Sequence, residues 1–148
     1  MSTIYTASTG YGFDFYKLEE KSIKKFVKNH NPSITNVIER FLTKKEKESF
    51  LQNPLFFINN FDFFEYYCNG FIEFVGEVLS EESGLPLVGT YDTVNNKYVI
   101  MLEDKYAWED PIDRLKNETI ESITETLLPY AKEFGEDYLS YVSSICFG

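Results

Sequence analysis

His30 is the only histidine in the 148-residue chain, so any Ser-His-Asp or Cys-His arrangement would have to be built on it. It stands among Asn29, Asn31 and Pro32 in an expected turn, with no G-x-S-x-G and no reactive-cysteine context, and its spacing assigns it no catalytic role. Zinc is disfavoured for the same reason: one His with the distant Cys68 and Cys146 falls short of four ligands. Thr9-Gly10-Tyr11-Gly12 has two glycines but neither the remaining spacing nor the following helix of a phosphate-cradling loop. Carboxylates are the remaining candidates. Glu73 with Glu77, or Glu109 with Asp110 and Asp113, are spaced to hold Mg²⁺ or to act as acid and base. With 24 Asp+Glu in the chain such pairs also arise by chance, and the Asp-x-Asp-x-Asp-Gly calcium loop is absent. The expectation is no catalytic residue, no metal and no cofactor, with a carboxylate-dependent hydrolase as the least favoured alternative.

The charges are unevenly placed. Through Phe61 there are 9 Lys+Arg against 6 Asp+Glu, whereas from Asp62 onward there are 5 against 18, within a total of -10. Glu65, Glu73, Glu77 and Glu81 fall at multiples of four and so form one helical stripe, where like charges repel by a few tenths of a kcal/mol per pair. Glu103 and Asp104, then Glu109, Asp110 and Asp113 around Trp108, continue the acidic run, followed by Glu118, Glu121, Glu125, Glu133, Glu136 and Asp137. Such runs are commonly solvated faces that keep an aromatic-rich protein in solution. They also suit docking on a basic groove in place of nucleic-acid phosphates. On that reading Glu73, Glu77, Glu81, Glu103, Asp104, Trp108, Glu109, Asp110 and Asp113 contact the partner, with Trp108 as an aromatic anchor. Direct nucleic-acid binding by this half is excluded by its sign.

The element that must position these groups is the stretch from Pro54 to Gly84. Phe57, Phe61, Phe64, Cys68, Phe71, Val75 and Val78 recur at steps of four and three, with Phe63, Tyr67, Phe74 and Leu79 beside them, which predicts a central helix over about 57–82. Gly70 and Gly76 each cost it about 1 kcal/mol relative to Ala, a loss that close approach of another element would offset. Gly84 is its expected C-cap. Before it, Thr3–Ala7 and Tyr11–Tyr16 read as two short strands or one bent one. Leu18–Asn29 reads as a helix with Ile23, Phe26 and Val27 inside and Lys21, Lys24, Lys25 and Lys28 outside. A short helix from Ser33 and another opened by the Thr43–Glu46 capping box follow. After it, VGTYDTV and KYVIML flank Asn95-Asn96 as a hairpin over 87–102 with an expected two-residue turn. A helix over Thr119–Gly135, kinked or split at Pro129, and a last helix carrying Tyr138, Val142 and Ile145 close the chain.

These elements imply one α+β domain over 1–148, a small antiparallel sheet of the N-terminal strands and the hairpin with helices packed on it. At 43% hydrophobic and 18% aromatic content the chain can fill a core, while no apolar run reaches the ~20 residues of a membrane span. Two cysteines and an N-terminus without basic and apolar signal regions imply a cytoplasmic protein. In size and charge the chain resembles small acidic inhibitors of phages and mobile elements, such as anti-CRISPR and anti-restriction proteins. The likeness is compositional and covers no motif. It implies a non-enzymatic inhibitor of a basic nucleic-acid-binding protein; the alternative is a homo-oligomeric structural or adaptor protein whose aromatics form the interface.

Overall fold

The computed structural model describes residues 5–40, 43–53, 70–103 and 120–147. In chain order these form β1 (Tyr5–Phe15), α1 (Glu20–Asn29), α2 (Asn31–Ile38), α3 (Lys44–Gln52), α4 (Phe71–Ser83), β2 (Leu87–Asp92), β3 (Lys97–Glu103), α5 (Ile120–Glu133) and β4 (Ser140–Phe147). The fold is α+β, with a four-stranded antiparallel sheet in the order β2-β3-β1-β4.

β1 is a single strand of 11 residues. Gly10 and Gly12 do not turn it; they pair with Glu103 and Met101, and a Cβ at Gly12 would lie 2.7 Å from the Met101 Cα. β4 corrects the expectation of a last helix. It runs antiparallel to β1 from Tyr5 opposite Phe147 to Gly12 opposite Ser140. The helical spacing of Tyr138, Val142 and Ile145 competes with a period of two: Val142 and Ser144 are buried while Tyr141 and Ser143 are exposed. Pairing along β1 decides between them. β3 carries the contiguous buried run Val99-Ile100-Met101, the pattern of a strand covered on both faces.

The hairpin also differs from expectation. Asp92 pairs with Lys97, so the turn has four residues, with Asn96 at φ 53. The reason is the buried Asp92 carboxylate. It accepts hydrogen bonds from the amides of Val94 (3.0 Å) and Asn95 (2.9 Å) and from Asn95 Nδ2 (3.0 Å), closing an Asx-type turn. Ile145 of β4 adds a further backbone donor to it, and Thr93 N donates to the Ile145 carbonyl at 2.9 Å. The sheet therefore curls until its two edge strands meet at this corner. Burial pushes the Asp92 carboxyl up, and these donors more than offset that, holding it below its ordinary value.

The helices pack on the face that carries Phe13, Phe15 and Ile100, where each fully buried large side chain contributes about 1.5–3 kcal/mol. Ring contacts cross this layer: Phe15 lies 4.8 Å from Phe134, Phe134 6.1 Å from Phe26, and Phe26 5.9 Å from Phe71. α3 opens on the expected capping box of Thr43 and Glu46. α5 continues through Pro129 and is not split.

α4 begins at Phe71, because Gly70 has φ 68 and ψ -140, outside helical space; the first part of the expected helix, 57–69, lies outside the described residues. Its expected C-cap, Gly84, adopts left-handed geometry at φ 74. Gly76 is the point of close approach. A Cβ there would fall 3.0 Å from the Gly89 Cα, and a Cβ on Gly89 would fall 2.8 Å from the Ile72 carbonyl carbon. Gly76→Ala should therefore destabilise the protein by about 1–3 kcal/mol in urea unfolding, although alanine is the better helix former. Unchanged or increased stability would show that α4 and β2 are not in backbone contact.

Candidate functional site

α1 is amphipathic, and its buried row Ile23, Phe26 and Val27 continues four residues beyond Phe26 to His30. α4 does the same: Phe71, Val75 and Val78 are followed at the next step of four by Glu82. Two ionisable groups thus lie in register with apolar rows, His30 buried and Glu82 part exposed at the edge of the helical layer. Pro32 in the first turn of α2 helps set the entry angle, and His30, at the junction of α1 and α2, is only 6% exposed.

The imidazole is held at both ends. His30 Nδ1 lies 2.7 Å from Glu82 Oε2 of α4, and Nε2 lies 2.7 Å from Glu133 Oε2 of α5. Ser33 donates its hydroxyl to Glu82 Oε2 at 3.0 Å, Tyr130 donates to Glu82 Oε1 at 3.3 Å, and Asn29 Nδ2 donates to Glu133 Oε1 at 3.4 Å. The Phe26 ring lies 4.7 Å from the imidazole and the Tyr130 ring 6.0 Å. Burial pushes the His30 pKa down, but the hydrogen bonds and charges of Glu133 and Glu82 more than offset it, leaving it above its ordinary 6.5. Burial, then the Glu82 and Glu133 charges around it, push the Tyr130 hydroxyl up to about 12. With one nitrogen on a carboxylate of α4 and the other on a carboxylate of α5, the imidazole ties the α1–α2 junction to both helices. His30 carries no catalytic expectation from sequence, and the structure gives it this structural one.

The acidic residues singled out from the sequence lie elsewhere. Glu73, Glu77 and Glu81 share the opposite face of α4, with Glu77 and Glu81 exposed. Arg40, just beyond α2, donates from Nη2 to Glu81 Oε2 at 3.0 Å. Arg40, Glu77, Glu81, Leu85 and Pro86 border an open groove of about 350 Å³. Glu103 ends β3, opposite Gly10 of β1. Asp104, Trp108, Glu109, Asp110 and Asp113 lie outside the described residues. A smaller acidic gathering occurs at the end of β1, where burial, then Asp14 and Asp137, push the Glu136 carboxyl up, while Lys97 pairs with Asp14 at 2.9 Å. Among the described residues no three His, Cys, Asp or Glu side chains gather as metal ligands, and no helix is long and apolar enough to cross a membrane. Lys21, Lys24, Lys25 and Lys28 form the exposed side of α1. Comparisons with protein families, with curated proteins and with solved structures find no match to this chain.

The two carboxylates on His30 are not equivalent, since the Glu133 side chain is 13% exposed and that of Glu82 34%. Solvent screens the second more than the first. Glu133→Ala should lower stability by about 2 kcal/mol and Glu82→Ala by about 1 kcal/mol or less, measured by chemical denaturation at neutral pH. The reverse order would mean that the α5 arm of the bridge carries little of its strength.

Proposed function

We propose that the protein is a non-enzymatic acidic binding protein that occupies the basic, nucleic-acid-handling surface of a partner, in the manner of phage or mobile-element inhibitors. The carrying observation is the division of α4. Its inner row delivers Glu82 to the one histidine, while its outer row turns Glu77 and Glu81 to solvent beside an open groove. That groove has a part-exposed apolar edge at Pro86, with Glu77 beside it and Glu81 held by Arg40 at 3.0 Å, so a partner's lysine or arginine would lay its stem on Pro86 and share the Glu81 carboxylate with Arg40. The surplus of 18 acidic over 5 basic residues from Asp62 onward supplies the long-range attraction, which raises association rates more than it adds affinity.

Immobilised protein should retain a basic nucleic-acid-binding partner from bacterial lysate at low salt and release it both at high salt and on addition of duplex DNA. The combined Glu77→Lys and Glu81→Lys variant, confirmed as folded by circular dichroism, should bind that partner roughly tenfold more weakly. Retention indifferent to salt and to DNA would end the proposal.

A second reading, assembly of several copies, draws on Tyr16, Tyr138 and Tyr141, which are 69%, 69% and 67% exposed. Aromatics of this kind are enriched at interface cores. If they mediate assembly, light scattering at micromolar concentration should give a multiple of 17.3 kDa, and Tyr141→Ser should reduce it. A monomer at that concentration removes this reading.

A further inference from the structure

His30 needs a proton to satisfy its surroundings. A neutral imidazole has a single N–H, so one of its nitrogens would point a lone pair at a carboxylate oxygen only 2.7 Å away. One proton beyond neutral imidazole and two carboxylates removes that conflict, because both ring nitrogens then donate, one to each carboxylate. Among the described residues, the polar and charged groups facing the unit are known from each element. α1 contributes Asn29, α2 Ser33, α4 Glu82, and α5 Tyr130 and Glu133. None of these other than His30 brings a positive charge.

We propose that Glu82, His30 and Glu133 form a proton-operated clamp, which holds the C-terminal turns of α4 and α5 against the α1–α2 junction while one proton is shared and releases them when it leaves to solvent. The clamp joins residues 52 and 103 positions apart in the chain, so its opening separates elements rather than loosening a local turn. Glu82, part exposed, provides the route by which the proton reaches water.

The direction follows from linkage. Because the folded-state pKa of His30 is raised, its contribution is fully present below 6.5 and is lost as pH rises through the folded value, on the alkaline side. The Tyr130 hydroxyl, at about 12, stays protonated and keeps donating to Glu82 across that change, so the transition belongs to the imidazole unit.

A single histidine gives one imidazole spin system, which long-range ¹H–¹⁵N spectra can follow over pH in the unmodified protein. Both nitrogens should keep imidazolium shifts above pH 6.5. On deprotonation, amide-exchange protection, corrected for intrinsic rates, should fall about tenfold or more in the last turns of α4 and α5 but not in β1 and β3. Glu133→Gln should lower the midpoint by about one unit or more and remove the alkaline step. A neutral imidazole at pH 6.5, or a titration that leaves exchange in those turns unchanged, overturns the clamp. Should Glu133→Gln fail to fold, the titration of the unmodified protein still decides the matter.

Discussion

The backbone contact between α4 and β2 constrains everything else in this fold. With no side chain at Gly76 or Gly89, the helix axis comes closer to the sheet than a layer of ordinary side chains would allow. Ser80, four residues on, occupies the same seam: its hydroxyl accepts from Leu87 N at 2.9 Å and lies 2.8 Å from the Gly76 carbonyl. The close approach fixes the rotation of α4 about its axis as well as its height. Once Gly76 and Ser80 face the sheet, Phe71, Val75, Val78 and Glu82 must face the helical layer, and Glu77 and Glu81 must face water. Both the buried bridge and the exposed acidic row follow from that one rotation.

The sheet is shaped by the same economy of side chains. β1 offers glycine at positions 10 and 12 where it crosses β3, and the strands approach there so closely that a Cβ would overlap the neighbouring backbone. Curling towards that side brings Asp92 and Thr93 at the end of β2 to Ile145 in β4, although these strands stand at opposite ends of the sheet order. A corner joined in this way shields part of both edges, which would otherwise present unpaired backbone groups. It also encloses Val99, Met101 and Val142, a second buried cluster distinct from the one beneath the helices.

Much of the helical part was legible because single rows carry it. Ile23-Phe26-Val27, Ile34-Val37-Ile38 and Phe71-Val75-Val78 are all buried as their spacing requires, and the Thr43 and Glu46 cap is local chemistry. The spacing of Tyr138, Val142 and Ile145 fits a helix, and only β1, more than 120 residues earlier, selects the alternation that pairs Gly10 with Val142 in β4. The hairpin turn is two residues longer than the Asn95-Asn96 pair suggests because the buried carboxylate of Asp92 draws four residues around itself, aided by a donor from another strand. The His30 bridge left a trace in the sequence: an imidazole and a carboxylate each sit where the next apolar residue of a row is due. What no spacing could supply was their meeting, because Glu82 and Glu133 reach His30 from two separate helices.

The electrostatics of α4 explain why that meeting calls for a positive charge. A helix C-terminus concentrates partial negative charge from its unsatisfied carbonyls and favours cations in the last turn. α4 has no basic residue there; it has Glu81 and Glu82, with Glu77 a turn earlier, so helix and side chains add charge of the same sign. Gly84 satisfies part of the backbone requirement through its amide on the Ser80 carbonyl, but it contributes no charge. The compensation comes from other elements: the Arg40 guanidinium meets Glu81 and the imidazole meets Glu82. Arginine is charged at any accessible pH, whereas the imidazole is charged only while it keeps its proton. The end of α4 is therefore neutralised on one side permanently and on the other conditionally, and the conditional side is the one that also reaches α5 through Glu133.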